Sequence, residues 1–377
     1  MSEPVYLDCN ATTPIEPEVL DAMVHYCRLE YGNAGSRTHR YGSAATRALR
    51  VAREQVAAVV GASWEEVVFT SGATEANNIA ILGLAHHAKA GGKLHIVSTQ
   101  IEHKAVLEPL EVLREQGFEL TLLPVDSSGA VNPEQVRTAL RPETALVSIM
   151  HVNNETGVIQ PLSEIADAMQ GHPAALYADA AQGFGKELEG LLHPRIDLIG
   201  MSGHKLYAPK GIGALVVRSG PRTKGLRSIM YGGGQERGIR PGTVPVHLAA
   251  ALGVAAELAV KNHRARREAC IAFRDALLTA MAPLNPMING DLSRILPSTL
   301  NLSFGDIDSE AVMIGLKDLV AISNGSACTS ASYTPSHVLT AMQLPEARVA
   351  AATRWSWCHM TEAPDWEELQ RSMHSIV

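Results

Sequence analysis

Positive charge is in deficit in this 377-residue chain, where 32 lysines and arginines face 39 aspartates and glutamates for a formal net charge of −7. Gripping nucleic acid or an anionic membrane requires a basic surface, so neither is an expected direct partner. Cysteine is sparse too. The five, Cys9, Cys27, Cys270, Cys328 and Cys358, form no C-x-x-C pair, which argues against a disulfide framework or a zinc site and leaves each as a candidate free thiol. No apolar run approaches membrane-spanning length, and the start MSEPVYLDCN has no basic segment leading into an apolar core. A cytoplasmic protein is expected. Internal repeats and low-complexity segments are also missing, so nothing points to a solenoid or a disordered tail.

What is present is an alternation. Hydrophobic residues make up 46% and charged residues 19%, ordinary for a compact enzyme, and 377 residues exceed what one core usually holds. From Val67 onward, short apolar runs (VVFT, LHIVST, ELTLL, ALVSIM, ALYAD, IDLIGM, GIGALVV) alternate with stretches of helical periodicity. Strands separated by helices imply right-handed crossovers and a mostly parallel sheet covered on both faces, hence an α/β fold. One long helical run, residues 247–281, is expected to link this body to a smaller α+β one containing STLNLSF, DLVAISN and RVAAATRWSW as strands. The expected division is 15–255 for the large domain, with 1–14 and 256–377 forming the small one.

The polar clusters fall at ends of the predicted strands, where open α/β sheets gather their ligand groups. Lys205 leaves a turn, Ser202-Gly203-His204, between two apolar runs; there it is either partly desolvated and available as a nucleophilic amine, or a lysine on a solvated loop. In Ser71-Gly72-Ala73-Thr74-Glu75, the backbone N–H groups and the Thr74 hydroxyl could hold a phosphate, or the turn could simply cap a helix. It matches neither G-x-G-x-x-G nor G-x-x-x-x-G-K-[ST]. Asp179 ends an apolar run, a costly place for a carboxylate unless it caps a helix or meets a cation. His103 alone reads as a core or surface histidine. Taken together, these residues suit pyridoxal phosphate, whose aldehyde takes a lysine, whose ring nitrogen takes an acid and whose phosphate would use Thr74, Ser202 and His204.

The segments YLDCNATTP, TSGATEANN, IEHKAV, HVNNETG, ADAAQGFGK, SGHKLYAPKGIGAL, GGGQERGIRPGT and SNGSACTSAS resemble, in order and over nearly the whole chain, the NifS/IscS-type cysteine desulfurases of the class V aminotransferase superfamily. Within that group, GNAGSRTHRYG, IEHKAVLEPLE, HVNNETGVIQP, GGGQERGIRPGT and TPSHVLTAMQLPE are most similar to the DndA branch, which supplies sulfur for DNA backbone phosphorothioation. The resemblance implies the pyridoxal phosphate fold type I and a Schiff base at Lys205. It further implies Asp179 on the ring nitrogen, Gln182 on the phenolic oxygen and His103 stacked on the ring. Phosphate contacts would come from Ala73, Thr74, Ser202 and His204, with Thr243 reaching in from a second subunit of a homodimer. Asn153 and Arg354 would hold the carboxylate of the substrate L-cysteine. Cys328, among small residues that would leave a thiol accessible, would be the nucleophile that receives sulfur and passes it to an acceptor protein, which in the DndA reading belongs to an iron–sulfur DNA-modification enzyme. The other four cysteines read as structural.

Two rivals stand beside this reading. A selenocysteine lyase or ordinary class V aminotransferase would keep Lys205 and Asp179 without needing Cys328. A scaffold that borrowed the fold would bind no cofactor.

Overall fold

The structure, a computed structural model, describes residues 3–324 and 335–376. In chain order the elements are β1 (Val5–Tyr6), α1 (Pro17–Arg28), α2 (Arg40–Val59), β2 (Val67–Thr70), α3 (Ala73–Ala90), β3 (His95–Thr99), α4 (Lys104–Glu115), β4 (Glu119–Leu123), α5 (Pro133–Ala139), β5 (Thr144–Met150), α6 (Leu162–Ala168), β6 (Ala175–Asp179), β7 (Leu198–Ser202) and β8 (Gly213–Val217). There follow α7 (Val246–Lys261), α8 (His263–Met281), β9 (Met287–Ile288), β10 (Thr299–Ser303), α9 (Ser309–Leu316), β11 (Val320–Ala321), α10 (His337–Ala341), α11 (Glu346–Ala350), β12 (Ala352–Ser356) and α12 (Trp366–Ile376).

Seven strands form the central sheet in the order β2-β8-β7-β6-β5-β3-β4. Only β8 runs against the others, so the mostly parallel sheet expected from the alternation is present. Its strands, apart from the edge strand β4, are buried on both sides, and successive side chains go to opposite faces. In β6, Ala175 and Tyr177 join one apolar cluster with residues of α3 and α4, while Leu176 and Ala178 join another with α2, α6 and α7. Asp179 has the parity of Tyr177. Its side chain therefore lies on the α3 side, which decides much of the site.

A third cluster unites Leu7 with Cys270, Phe273, Leu300, Leu302, Trp355, Trp357 and Leu369, around the antiparallel sheet β12-β10-β9. β1 pairs with β11 in parallel, and Asp8 and Ser323 form bridges to Ser356 and Arg354, so the N-terminal segment lies against β12. No helix among the described residues is long and apolar enough to cross a membrane.

Three elements differ from the sequence expectation. The long helical run is broken at Asn262, whose ψ of 9° ends α7 before α8 begins. Asn is a modest helix former that competes for its own backbone bonds, which suits it to such a break. In RVAAATRWSW only Ala352–Ser356 is strand, because Glu346–Ala350 forms a turn of helix. α2 starts at Arg40, inside YGNAGSRTHRYG, whose glycines and polar residues predict a loop. Gly42 made that stretch look unstructured, yet it sits in the helix because a Cβ there would lie 1.8 Å from the Ser36 carbonyl oxygen.

Candidate active site

The polar ends of β6 and β7, the first turns of α3 and α4, the N-terminal segment and β12 converge on a cavity of about 550 Å³. Lys205, in the turn after β7, donates from Nζ to the carbonyl of Ala11 at 2.7 Å and to that of Asn10. Beside it, Gln182 donates from Nε2 to the same Asn10 carbonyl at 2.9 Å, while its Oε1 is buried with no hydrogen-bond partner among the described residues.

Asp179 is 5% exposed. Its Oδ2 accepts from Asn77 Nδ2 at 2.8 Å and its Oδ1 from the Ala181 amide at 3.0 Å. Opposite, Gly72 precedes α3 with no side chain capping the helix, so the first-turn N–H groups at Ala73 and Thr74 are left to an anion. Ser202 and His204 line the same end of the cavity. The approach is tight: a Cβ on Gly213 of β8 would lie 2.6 Å from the Gly72 Cα.

Two histidines face this cavity in their neutral forms. His103 caps α4, its Nδ1 accepting from the Ala105 amide at 3.0 Å, which leaves the ring proton on Nε2. Burial, helped by Lys205, lowers its pKa against the pull of Asp179. Burial and then the nearby Lys205 and Lys210 push His204 down to about 4.

From the other side comes Arg354 of β12, 2% exposed. Its guanidinium binds Asp8 Oδ1 at 2.6 Å, the Asn154 carbonyl at 3.1 Å and Ser323 Oγ at 3.5 Å, while Nε has no partner among the described residues. A guanidinium has five N–H donors, so donors remain for a ligand.

Two expected residues are not brought to the cavity. Asn153 is fully buried beneath it, and its Oδ1 accepts from the amides of Glu155 and Thr156, both at 2.9 Å, while Nδ2 reaches the Ile101 carbonyl at 3.2 Å. That side chain fixes the turn; its neighbour Asn154 lines the cavity instead. Thr243 is exposed on a loop that Arg240 ties to Glu75 of α3 at 2.8 Å, and it does not line this chain's own cavity although Glu75 does. Cys328 lies outside the described residues. Of those flanking its segment, Ser323 pairs with Arg354, and Ser336 caps α10 while donating to Glu155.

Sequence reasoning also passed over Asp8, Asn10 and Asn77. The signal for the first two was polar residues at alternate positions of an otherwise apolar segment, YLDCN. Nothing in the sequence marked Asn77 apart from Asn78.

The Aminotransferase class-V pattern matches residues 5–369. The chain belongs to this family. It is 44% identical to cysteine desulfurase IscS of Vibrio campbellii over 364 residues, covering 96% of this chain and 89% of that protein. Among solved structures it superposes on DndA from Streptomyces lividans with a TM-score of 0.82 and 48% identity, over 92% of this chain and 98% of the other. It is also similar to SspA in complex with cysteine, at a TM-score of 0.83 and 36% identity, over 95% and 100% of the two chains. This class-V protein is a pyridoxal phosphate enzyme of the cysteine desulfurase type. Its residues fit the cofactor: the uncapped helix start suits a phosphate, the buried Asp179 suits a cationic ring nitrogen, and Lys205 and Gln182, whose Oε1 has no partner among the described residues, line the same cavity.

Proposed function

We propose that this desulfurase removes sulfur from L-cysteine onto Cys328 and delivers it for DNA phosphorothioate modification. The observation that carries the reading is the convergence of Lys205, Asp179 and the under-used Arg354 on one cavity. Asp179 would hold the ring nitrogen, the α3 start with Thr74, Ser202 and His204 the phosphate, and Gln182 the phenolic oxygen. His103 would pack on the ring. Bound there, pyridoxal phosphate supplies a sink for the electrons released at the substrate Cα.

Arg354 clamps the substrate carboxylate through its spare donors, with Asn154 in place of Asn153 closing that end. Lys205 takes the Cα proton. The Cys328 thiolate attacks the substrate sulfur, so that an S–S bond forms while the substrate Cβ–S bond breaks and its electron pair returns to carbon. Lys205 and the neutral His103, carrying its proton on Nε2, return protons, and alanine leaves. The persulfide sulfur then passes to an acceptor protein.

A homodimer accords with the exposed Thr243 and with Tyr231 on the same loop, which is 95% exposed. A second copy would give both a surface to meet and would let Thr243 reach a phosphate. The DNA-modification role rests on the likeness to DndA.

The test is a single turnover with L-cysteine. Equal alanine and persulfide are expected from the wild type, and neither from Cys328→Ser; alanine from the variant at the wild-type rate refutes the assignment. For the pathway, deleting the gene should remove phosphorothioate linkages from genomic DNA, read by mass spectrometry of a nuclease digest. Linkages at the parental level would point to general iron–sulfur or tRNA supply.

A further inference from the structure

Tyr177 and Asn77 extend Asp179 into a buried chain of side chains, and none of the roles above uses these two. Tyr177 and Asn77 are fully buried and Asp179 is 5% exposed. The Tyr177 hydroxyl donates to Asn77 Oδ1, and Asn77 Nδ2 donates to Asp179 Oδ2 at 2.8 Å. The direction of the chain is fixed by chemistry. An ionised carboxylate only accepts, so the amide must turn its NH₂ toward Asp179 and its oxygen toward the phenol. Burial, with Asp179 and Glu102 nearby, holds the Tyr177 hydroxyl well above its ordinary pKa, so it stays protonated and donating.

The fold makes the arrangement from simple periodicities. Tyr177 and Asp179 sit two apart in β6 and share the α3 face, and Asn77 lies four residues after Ala73, one turn into α3. On the adjacent strand Gly200 pairs with Asp179, and a Cβ there would stand 2.2 Å from the Tyr177 hydroxyl oxygen and 3.2 Å from Asn77 Oδ1. The space for the contact exists because residue 200 has no side chain.

We propose that Asn77, backed by Tyr177, is the positioning residue that holds Asp179 aimed at the cofactor's ring nitrogen. This rests on the assignment of Asp179 to that nitrogen. With Asn77 donating to Oδ2 and Ala181 to Oδ1, the carboxylate cannot rotate freely. Remove the amide and the carboxylate is less fixed. Its contact with the ring nitrogen would loosen, and the positive charge on the ring would be less well stabilised.

The experiment titrates apoenzyme with pyridoxal phosphate and follows the visible band of the bound cofactor against pH. Asn77→Ala should weaken cofactor binding about tenfold, the scale of one hydrogen bond to a charged group, and move the band's pH midpoint upward because a less cationic ring withdraws less charge. Tyr177→Phe, which deletes a single oxygen and is the variant least apt to disturb folding, should shift both in the same direction by a smaller factor. Gly200→Ala should mimic Tyr177→Phe, and should add little when combined with it, because the displaced hydroxyl is already gone. Asp179→Asn serves as the reference. If it leaves affinity and band unchanged, the Asp179 assignment fails. If it shifts both while Asn77→Ala and Tyr177→Phe shift neither, the positioning role fails and Asp179 acts unaided. Weaker binding with an unmoved midpoint would mark Asn77 as merely structural and overturn the proposal.

Discussion

The two sides of the cavity are made in different ways. On the sheet side, side chains hold side chains: Tyr177, Asn77 and Asp179 come from one strand and the helix packed over it. On the side of the small sheet, side chains hold backbone carbonyls from remote segments, with Arg354 on Asn154, Asn10 on Asn154 and Lys205 on Ala11. The ion pair that steadies Arg354 reaches back 346 residues to Asp8. The first side is set when β6 packs under α3, a helix that lies 100 residues earlier in the chain but belongs to the same central-sheet body. The second is set only when the chain's ends come together. The first is accordingly built to hold a bound group in one place, and the second to bear the groups that meet what comes and goes.

The largest effect expected on this comparison is from Lys205→Ala, at the residue that leaves the turn after β7 and reaches the N-terminal segment. Alanine formation should fall about 10³-fold or more, since a positioned acid–base group alone supplies roughly 10²–10⁴. Borohydride-reduced protein should also carry no added cofactor mass. Retained covalent cofactor would show that another lysine does the work. A smaller change is expected from Asp8→Asn, which removes the charge opposing Arg354 without touching the sheet side. KM for L-cysteine should rise several-fold with the visible band unmoved, and a shifted band would blur the division between the sides.

The smallest effect is on stability and concerns Glu102, fully buried below the cavity with Oε1 accepting from Thr99 and the Met150 amide. Burial pushes its pKa up to about 8 from the ordinary 4.5. The folded chain thus keeps a proton that the unfolded chain releases, so this contribution is fully present below pH 4.5 and is lost as pH rises through about 8. Glu102→Gln keeps the acceptor and removes the titration. Its stability relative to wild type should grow across that window, by on the order of 1 to 3 kcal/mol in denaturant melts. A difference independent of pH would mean that Glu102 is ionised in the fold.

The same comparison explains what could be read from the chain. Lys205, Asp179, Thr74 and Ser202 were legible because each ends an apolar run or opens a helix, and a parallel sheet collects such positions at one edge. Asn77 was not, because its meaning depends on which face of β6 meets α3. Asn153 misled. From sequence the two asparagines of HVNNETG are equivalent, and only the turn geometry commits the first to backbone amides and leaves the second at the cavity. Arg354 was found through resemblance, while its partner Asp8 carried no local sign of a contact so distant in the chain. Helix ends were misplaced where a close approach, as at Gly42, rather than a turn required glycine.

The division between the two sides is tested most directly by measuring, side by side, the pyridoxal phosphate dissociation constant and KM for L-cysteine in Asp179→Asn and Arg354→Lys. Asp179→Asn should weaken the cofactor at least tenfold, the scale of a lost charge-assisted bond. Arg354→Lys, which keeps the charge but loses the fork, should raise KM by on the order of 10-fold or more and leave cofactor affinity within a factor of about two. If Arg354→Lys weakens the cofactor as much as Asp179→Asn does, the two sides are one site, and the account is wrong.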